Sequence, residues 1–110
     1  MSSIVDHITV LVDDLDESEK WYIAKLGAEV THSQDNYRRL RLENTNIALL
    51  DRKFNPKPHI GILCEDISDL PQDGERIEHR DGTIGVYVED NSGNYIEFIH
   101  YDVNCDISIK

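Results

Sequence analysis

The stretch His7-Ile8-Thr9-Val10-Leu11-Val12-Asp13-Asp14 returns 52 residues later as His59-Ile60-Gly61-Ile62-Leu63-Cys64-Glu65-Asp66, each copy reading His-Ile-x-(Val/Ile)-Leu-x-acid-Asp. A second echo pairs Asn46-Ile47-Ala48-Leu49-Leu50-Asp51 with Tyr95-Ile96-Glu97-Phe98-Ile99-His100. Self-similarity at one period is the mark of a duplicated structural unit, here of about 50 residues. Between the copies, Lys53-Phe54-Asn55-Pro56-Lys57-Pro58 forms a joint, because its two prolines interrupt strand or helix.

In the first copy, residues 4–12 are β-branched and apolar, as a strand requires. Asp14-Leu15-Asp16-Glu17-Ser18-Glu19 supplies a cap and first-turn acids, so a helix follows. Leu15, Ser18, Trp21, Tyr22 and Leu26 are expected to line one side of it, up to a stop at Gly27. Residues 28–33, 37–43 and 47–52 then read as strands, separated by the turn-formers Gln34-Asp35-Asn36 and Asn44-Thr45-Asn46. That order is βαβββ. The second copy starts with a strand at 59–65, but Pro71 and Gly74 leave room for one helical turn at most. Strands are expected at 76–79, 85–89 and 95–101, with turns at Asp81-Gly82 and Asp90-Asn91-Ser92-Gly93-Asn94 and a tail at 102–110. The fold class is therefore α+β: two βαβββ modules, about 4–52 and 59–101, in one domain spanning 1–110, with the second helix truncated.

The chain holds 110 residues, 22 of them Asp or Glu against 11 Lys or Arg, a formal charge of -11. This size accommodates a single core. The charge repels phosphate backbones and anionic bilayers, which argues against nucleic-acid and membrane partners. No window approaches a membrane-spanning length and the N-terminus lacks a secretory signal, so a cytoplasmic location is expected. Cys64 and Cys105 are too isolated for a disulfide framework, in keeping with a reducing compartment.

Side chains alternate across a strand, so His7, Thr9 and Leu11 share one face, as do His59, Gly61 and Leu63. On the last strand Ile96 and Phe98 form the apolar set, placing Glu97 on the opposite face. Taken singly, each histidine reads as structural and Glu97 as a solvated strand residue. Two histidines in the same register of a repeat, with one carboxylate on the matching face, instead suit a divalent metal: two imidazoles and a carboxylate leave positions open for water or substrate oxygens. Fe, Mn, Ni, Co and Zn all accept this set.

These residues, with the Asp14–Gly27 stretch and the ending Val88-Glu89-Asp90-Asn91-Ser92-Gly93-Asn94-Tyr95-Ile96-Glu97-Phe98, resemble the vicinal oxygen chelate superfamily over residues 4–101. Its members include glyoxalase I, bleomycin-resistance proteins, fosfomycin-resistance thiol transferases, extradiol dioxygenases and methylmalonyl-CoA epimerase. The resemblance implies a cup-shaped open sheet and a metal chelating vicinal substrate oxygens, with His7, His59 and Glu97 at the ligand positions. The fourth position, a carboxylate in glyoxalase I and the epimerase, falls on Ala48, which cannot bind metal. What remains is a His-His-Glu pattern, similar to that of the thiol transferases and extradiol dioxygenases. The resemblance further implies a homodimer, in which His7 can come from one chain with His59 and Glu97 from the other. An uncovered sheet edge points the same way.

By strand parity Tyr37, Arg39 and Arg41 face the cup if Leu40 and Leu42 face the helix, and Tyr87 and Glu89 face it opposite Val86 and Val88. The arginines can clamp an anionic substrate or pair with surface acids. Glu89 is a general-base candidate or a turn-flanking acid. His32, His79 and His100 lie off the repeat register and are read as non-ligands. The leading expectation is thus a metal-dependent enzyme of lyase, thiol transferase or dioxygenase type acting on a small molecule. The alternative is a metal-free dimer binding a small molecule or drug, with Trp21, Tyr22, Tyr37 and Tyr87 as stacking residues.

Overall fold

In the computed structural model, residues 3–79 and 82–101 are described. The elements in chain order are β1 (Ile4–Val12), α1 (Leu15–Leu26), β2 (Glu29–Gln34), β3 (Tyr37–Arg41), β4 (Asn46–Asp51), β5 (His59–Leu63), β6 (Glu75–Glu78), β7 (Thr83–Glu89) and β8 (Tyr95–Tyr101), with single 3-10 turns at Arg52–Phe54 and Ile67–Asp69. The fold is α+β. The described residues form two compact units, one from His7 to Pro58 and the other of those from His59 to Tyr101 together with those before His7.

In the first unit the strand order is β2-β3-β4-β1, with β1 parallel to β4 and the other pairs antiparallel. The second unit repeats this as β6-β7-β8-β5, with β5 parallel to β8. Ladder register confirms the internal echo residue by residue. Thr9 lies opposite Ala48 in the first unit, and Gly61 opposite Glu97 in the second.

Helix α1 begins where a side-chain cap is available: Asp14 accepts a hydrogen bond from the Glu17 amide at 3.0 Å. It ends at Gly27, whose φ of 66° is left-handed and whose N–H donates to the Ile23 carbonyl at 3.0 Å. Leu15 is buried, Ser18 and Tyr22 half-buried, a narrow stripe over a core of Val12, Leu15, Ala28, Leu40, Ile47 and Leu49. Trp21 and Leu26, expected on that stripe, are exposed. Trp21 lies too far around the helix from Leu15 and Tyr22, and Leu26 is the final helical residue. Trp21 instead meets Tyr22 edge-on, with ring centroids 5.2 Å apart. Arg38 ties β3 to the helix through Asp16 at 2.8 Å and Glu19 at 3.2 Å.

In the second unit the segment after β5 makes only a 3-10 turn, capped by Asp66, which accepts from the amide and hydroxyl of Ser68 at 2.9 and 2.8 Å. Those bonds hold the Asp66 carboxyl below its ordinary value. The small core is Cys64, Leu70 and Val86, with Ile84, Val88 and Phe98 against it. Here the chain itself closes onto the sheet: a Cβ on Gly74 would lie 2.5 Å from the Tyr87 carbonyl and 2.6 Å from a Val86 methyl. The expected strand boundaries shift slightly, chiefly in that β6 starts at Glu75 and β7 at Thr83. Asp81 and the tail 102–110 lie outside the described residues. Among the described residues no helix is long and apolar enough to cross a membrane.

Candidate metal centre

Strand β8 carries Phe98 into the apolar core and Glu97 to the other face, as the alternation requires. The Glu97 side chain is 3% exposed, and a carboxylate so removed from water is stable only with partners. Two imidazoles supply them. His59, the first residue of β5, brings Nε2 to 3.2 Å from Oε1, and its own side chain is 7% exposed. His79, the residue just after β6, brings Nε2 to 2.7 Å from Oε2. Tyr87, directly opposite Glu97 in the antiparallel ladder, sets its ring edge-on to His59, centroids 5.0 Å apart and planes at 88°. Burial foremost, then the charge of Glu97 and a hydrogen bond to it, pushes the Tyr87 phenol well above its usual range, so it stays a neutral donor.

The donor chemistry fits one divalent ion. Cis ligands on bonds of about 2.1 Å stand roughly 3.0 Å apart in an octahedron and roughly 3.4 Å apart in a tetrahedron. The 3.2 Å between His59 Nε2 and Glu97 Oε1 falls between these spacings.

In the first unit His7 is buried on β1, opposite Asn46. Two residues on, the position equivalent to Glu97 is Ala48, buried, with buried Thr9 on one flank and buried Arg39 on the other. A carboxylate site in one unit is thus an apolar position beside a guanidinium in its counterpart. Tyr37 is half-buried, and Arg41 is exposed, donating to the Glu43 carbonyl at 3.2 Å. Glu89 is exposed at the end of β7, where it accepts a hydrogen bond from the Tyr95 hydroxyl at 2.7 Å.

Of the residues singled out in the sequence, His59, Glu97 and Tyr87 come together within the second unit. His79, off the repeat register and read as a non-ligand, stands with them against Glu97. The repeat register pairs histidines between the two copies, and His79 has no counterpart in the first. Its signal was parity within one hairpin: Ile77 pairs with Gly85, so His79, Gly85, Tyr87 and Glu97 share a face. His100 instead lies with its Nδ1 at 3.0 Å from the Cys64 carbonyl oxygen.

A family model described as Glyoxalase/Bleomycin resistance protein/Dioxygenase superfamily matches residues 4–98. Among solved structures, the chain resembles a hypothetical protein from Bacillus halodurans C-125 at 15% identity, covering 96% of this chain and 99% of that one, with a TM-score of 0.72. It resembles methylmalonyl-CoA epimerase from Mycobacterium tuberculosis at 18% identity, covering 89% and 87%, TM-score 0.69. A superfamily member from Vibrio splendidus 12B01 aligns at 14% identity over 91% and 100%, TM-score 0.66. At these identities the likeness is one of fold. No curated protein matches the chain. With the matched region spanning both repeats, the chain belongs to the glyoxalase/bleomycin resistance protein/dioxygenase superfamily.

Proposed function

We propose that the chain is a small divalent-metal-dependent enzyme of the vicinal oxygen chelate type, in which His7, His59 and Glu97 hold one Fe, Mn, Ni, Co or Zn ion. The observation that carries this reading is the buried His59–Glu97 pair, with its donor atoms 3.2 Å apart. His7 is the third ligand because it occupies, in the first repeat, the register of His59 in the second. Once bound, the ion supplies Lewis-acid or oxygen-activating chemistry to a substrate offering two adjacent oxygens.

The chain's own residues do the rest. Tyr87 braces His59 and offers a neutral hydroxyl, and Arg39 offers a guanidinium beside Ala48, the position at which relatives with a fourth ligand would place a carboxylate. With Ala48 there, this reading favours thiol transfer or dioxygen chemistry over the four-ligand activities. The working form is a cytosolic homodimer acting on a small molecule.

Metal analysis of protein purified without chelators tests the reading, with His7→Ala, His59→Ala and Glu97→Ala alongside. The expected result is roughly one ion per chain in the parent and none in the three variants, each still folded by circular dichroism. Mixing His7→Ala with Glu97→Ala chains would restore part of the binding if the ligands come from two chains. A parent that stays empty after reconstitution sinks the proposal and leaves a metal-free small-molecule binder.

A further inference from the structure

We propose that His79 is a positioning residue: it holds one oxygen of Glu97 so that the other alone is presented to the metal. This rests on the metal reading above. The two carboxylate oxygens are already divided between partners, Oε1 facing His59 and Oε2 facing His79. The distances differ in kind. At 2.7 Å, His79 Nε2 to Oε2 is a charge-assisted hydrogen bond, shorter than the roughly 3.0 Å at which two ligands of one ion stand side by side. His79 Nε2–H therefore donates to Oε2, rather than competing for the ion.

A second observation shows that the fold makes room for this bond. Gly85 sits inside β7 with no left-handed φ to account for it, and glycine within a strand weakens the strand unless something approaches closely. Here the approaching groups are the two partners: a Cβ on residue 85 would lie 2.2 Å from Glu97 Oε2 and 2.9 Å from His79 Nε2. The imidazole is also delivered from a fixed backbone. The His79 amide donates to the Thr83 carbonyl at 2.9 Å, and the Gly82 amide donates to the His79 carbonyl at 3.1 Å. Partners that orient a ligating carboxylate typically change metal affinity 10–100-fold when removed.

The test is titration of chelator-stripped full-length protein with Co(II), followed by calorimetry and by the visible absorption of the bound ion. His79→Leu is expected to bind Co(II) about 10–100-fold more weakly and with an altered spectrum, as the freed carboxylate turns both oxygens to the metal. His79→Gln, whose amide N–H can reach the same oxygen, is expected to recover most of the affinity and the parent spectrum. Gly85→Ala, whose Cβ presses on both Oε2 and His79 Nε2 and so parts the pair without removing the imidazole, should reproduce the His79→Leu spectrum and serves if that variant fails to fold. Unchanged binding and spectrum in folded His79→Leu overturn the proposal while leaving the metal reading intact. The loss of one imidazole from the nitrogen hyperfine pattern of the Cu(II) form of His79→Leu also overturns it, making His79 a ligand. A parent that takes up no Co(II) overturns both.

Discussion

The two repeats share a topology and divide its tasks. The first unit keeps a twelve-residue helix over its sheet and packs six buried apolar residues into one core cluster, with Leu40 and Leu49 wholly out of contact with water. The second has a 3-10 turn in place of the helix and a core of three buried residues, and within it stand His59, His79, Tyr87 and Glu97. Apolar burial is the main source of stability, and buried charged groups oppose it unless partnered. The unit with the larger core is therefore the scaffold. The one with less to bury gathers two imidazoles, a phenol and a carboxylate, whereas the buried polar residues of the first are His7, Thr9 and Arg39, a difference that a strictly symmetric duplication would lack.

The largest effect that would break this comparison lies in the cores. Leu49→Ala in the first unit is expected to destabilise the protein by about 3–4 kcal/mol, as for other fully buried leucines, and Leu70→Ala in the second by only about 2 kcal/mol. Urea unfolding of both variants measures the difference. Equal losses would show that the second core matters as much as the first.

Next come the caps. Asp14→Ala removes the acceptor for the Glu17 amide at the start of a full helix, for an expected loss of about 1 kcal/mol. Asp66→Ala removes the equivalent acceptor from a single turn, and a smaller drop in melting temperature should result. If Asp66→Ala proves the more damaging, the short turn holds up the second sheet as firmly as the helix holds the first.

The smallest effect is a pH dependence. Burial, then the charge of Asp69, raises the Cys64 thiol above its ordinary 9.0, whereas the six buried residues of the other core include no ionisable group. A group whose folded value is raised contributes stability fully present below its unfolded value and lost as pH climbs through the folded one. The parent should therefore lose melting temperature from about pH 9 upward, and Cys64→Ala should lose less over the same interval. Identical alkaline slopes would assign the loss to other groups.

Much of this organisation was legible because the repeat falls where strands open. His7 and His59 mark equivalent registers, and the alternation along Ile96-Glu97-Phe98 is enough to send the carboxylate away from the core. The Asp14 cap and the Gly27 stop were equally readable, being local chemistry that needs no tertiary partner. Trp21 was misplaced because a side of a helix is wider than the strip a small sheet can cover. His79 was missed for a different reason: it reaches Glu97 across a hairpin, through a contact that exists only after β6, β7 and β8 have paired. The departure at Ala48 was visible in the sequence, but its flanking by Thr9 and Arg39 needed the ladder.

Gly74 carries a consequence for how freely this chain can vary. Where the first unit roofs its sheet with helical side chains, the second brings bare backbone against Tyr87 and Val86, at a distance no side chain tolerates. A roof of twelve residues spreads its specification thinly, so that outward positions such as Ala24 and Lys25 can drift. A roof of bare backbone concentrates that specification in one codon, and the shorter module is correspondingly the less evolvable half of the duplication.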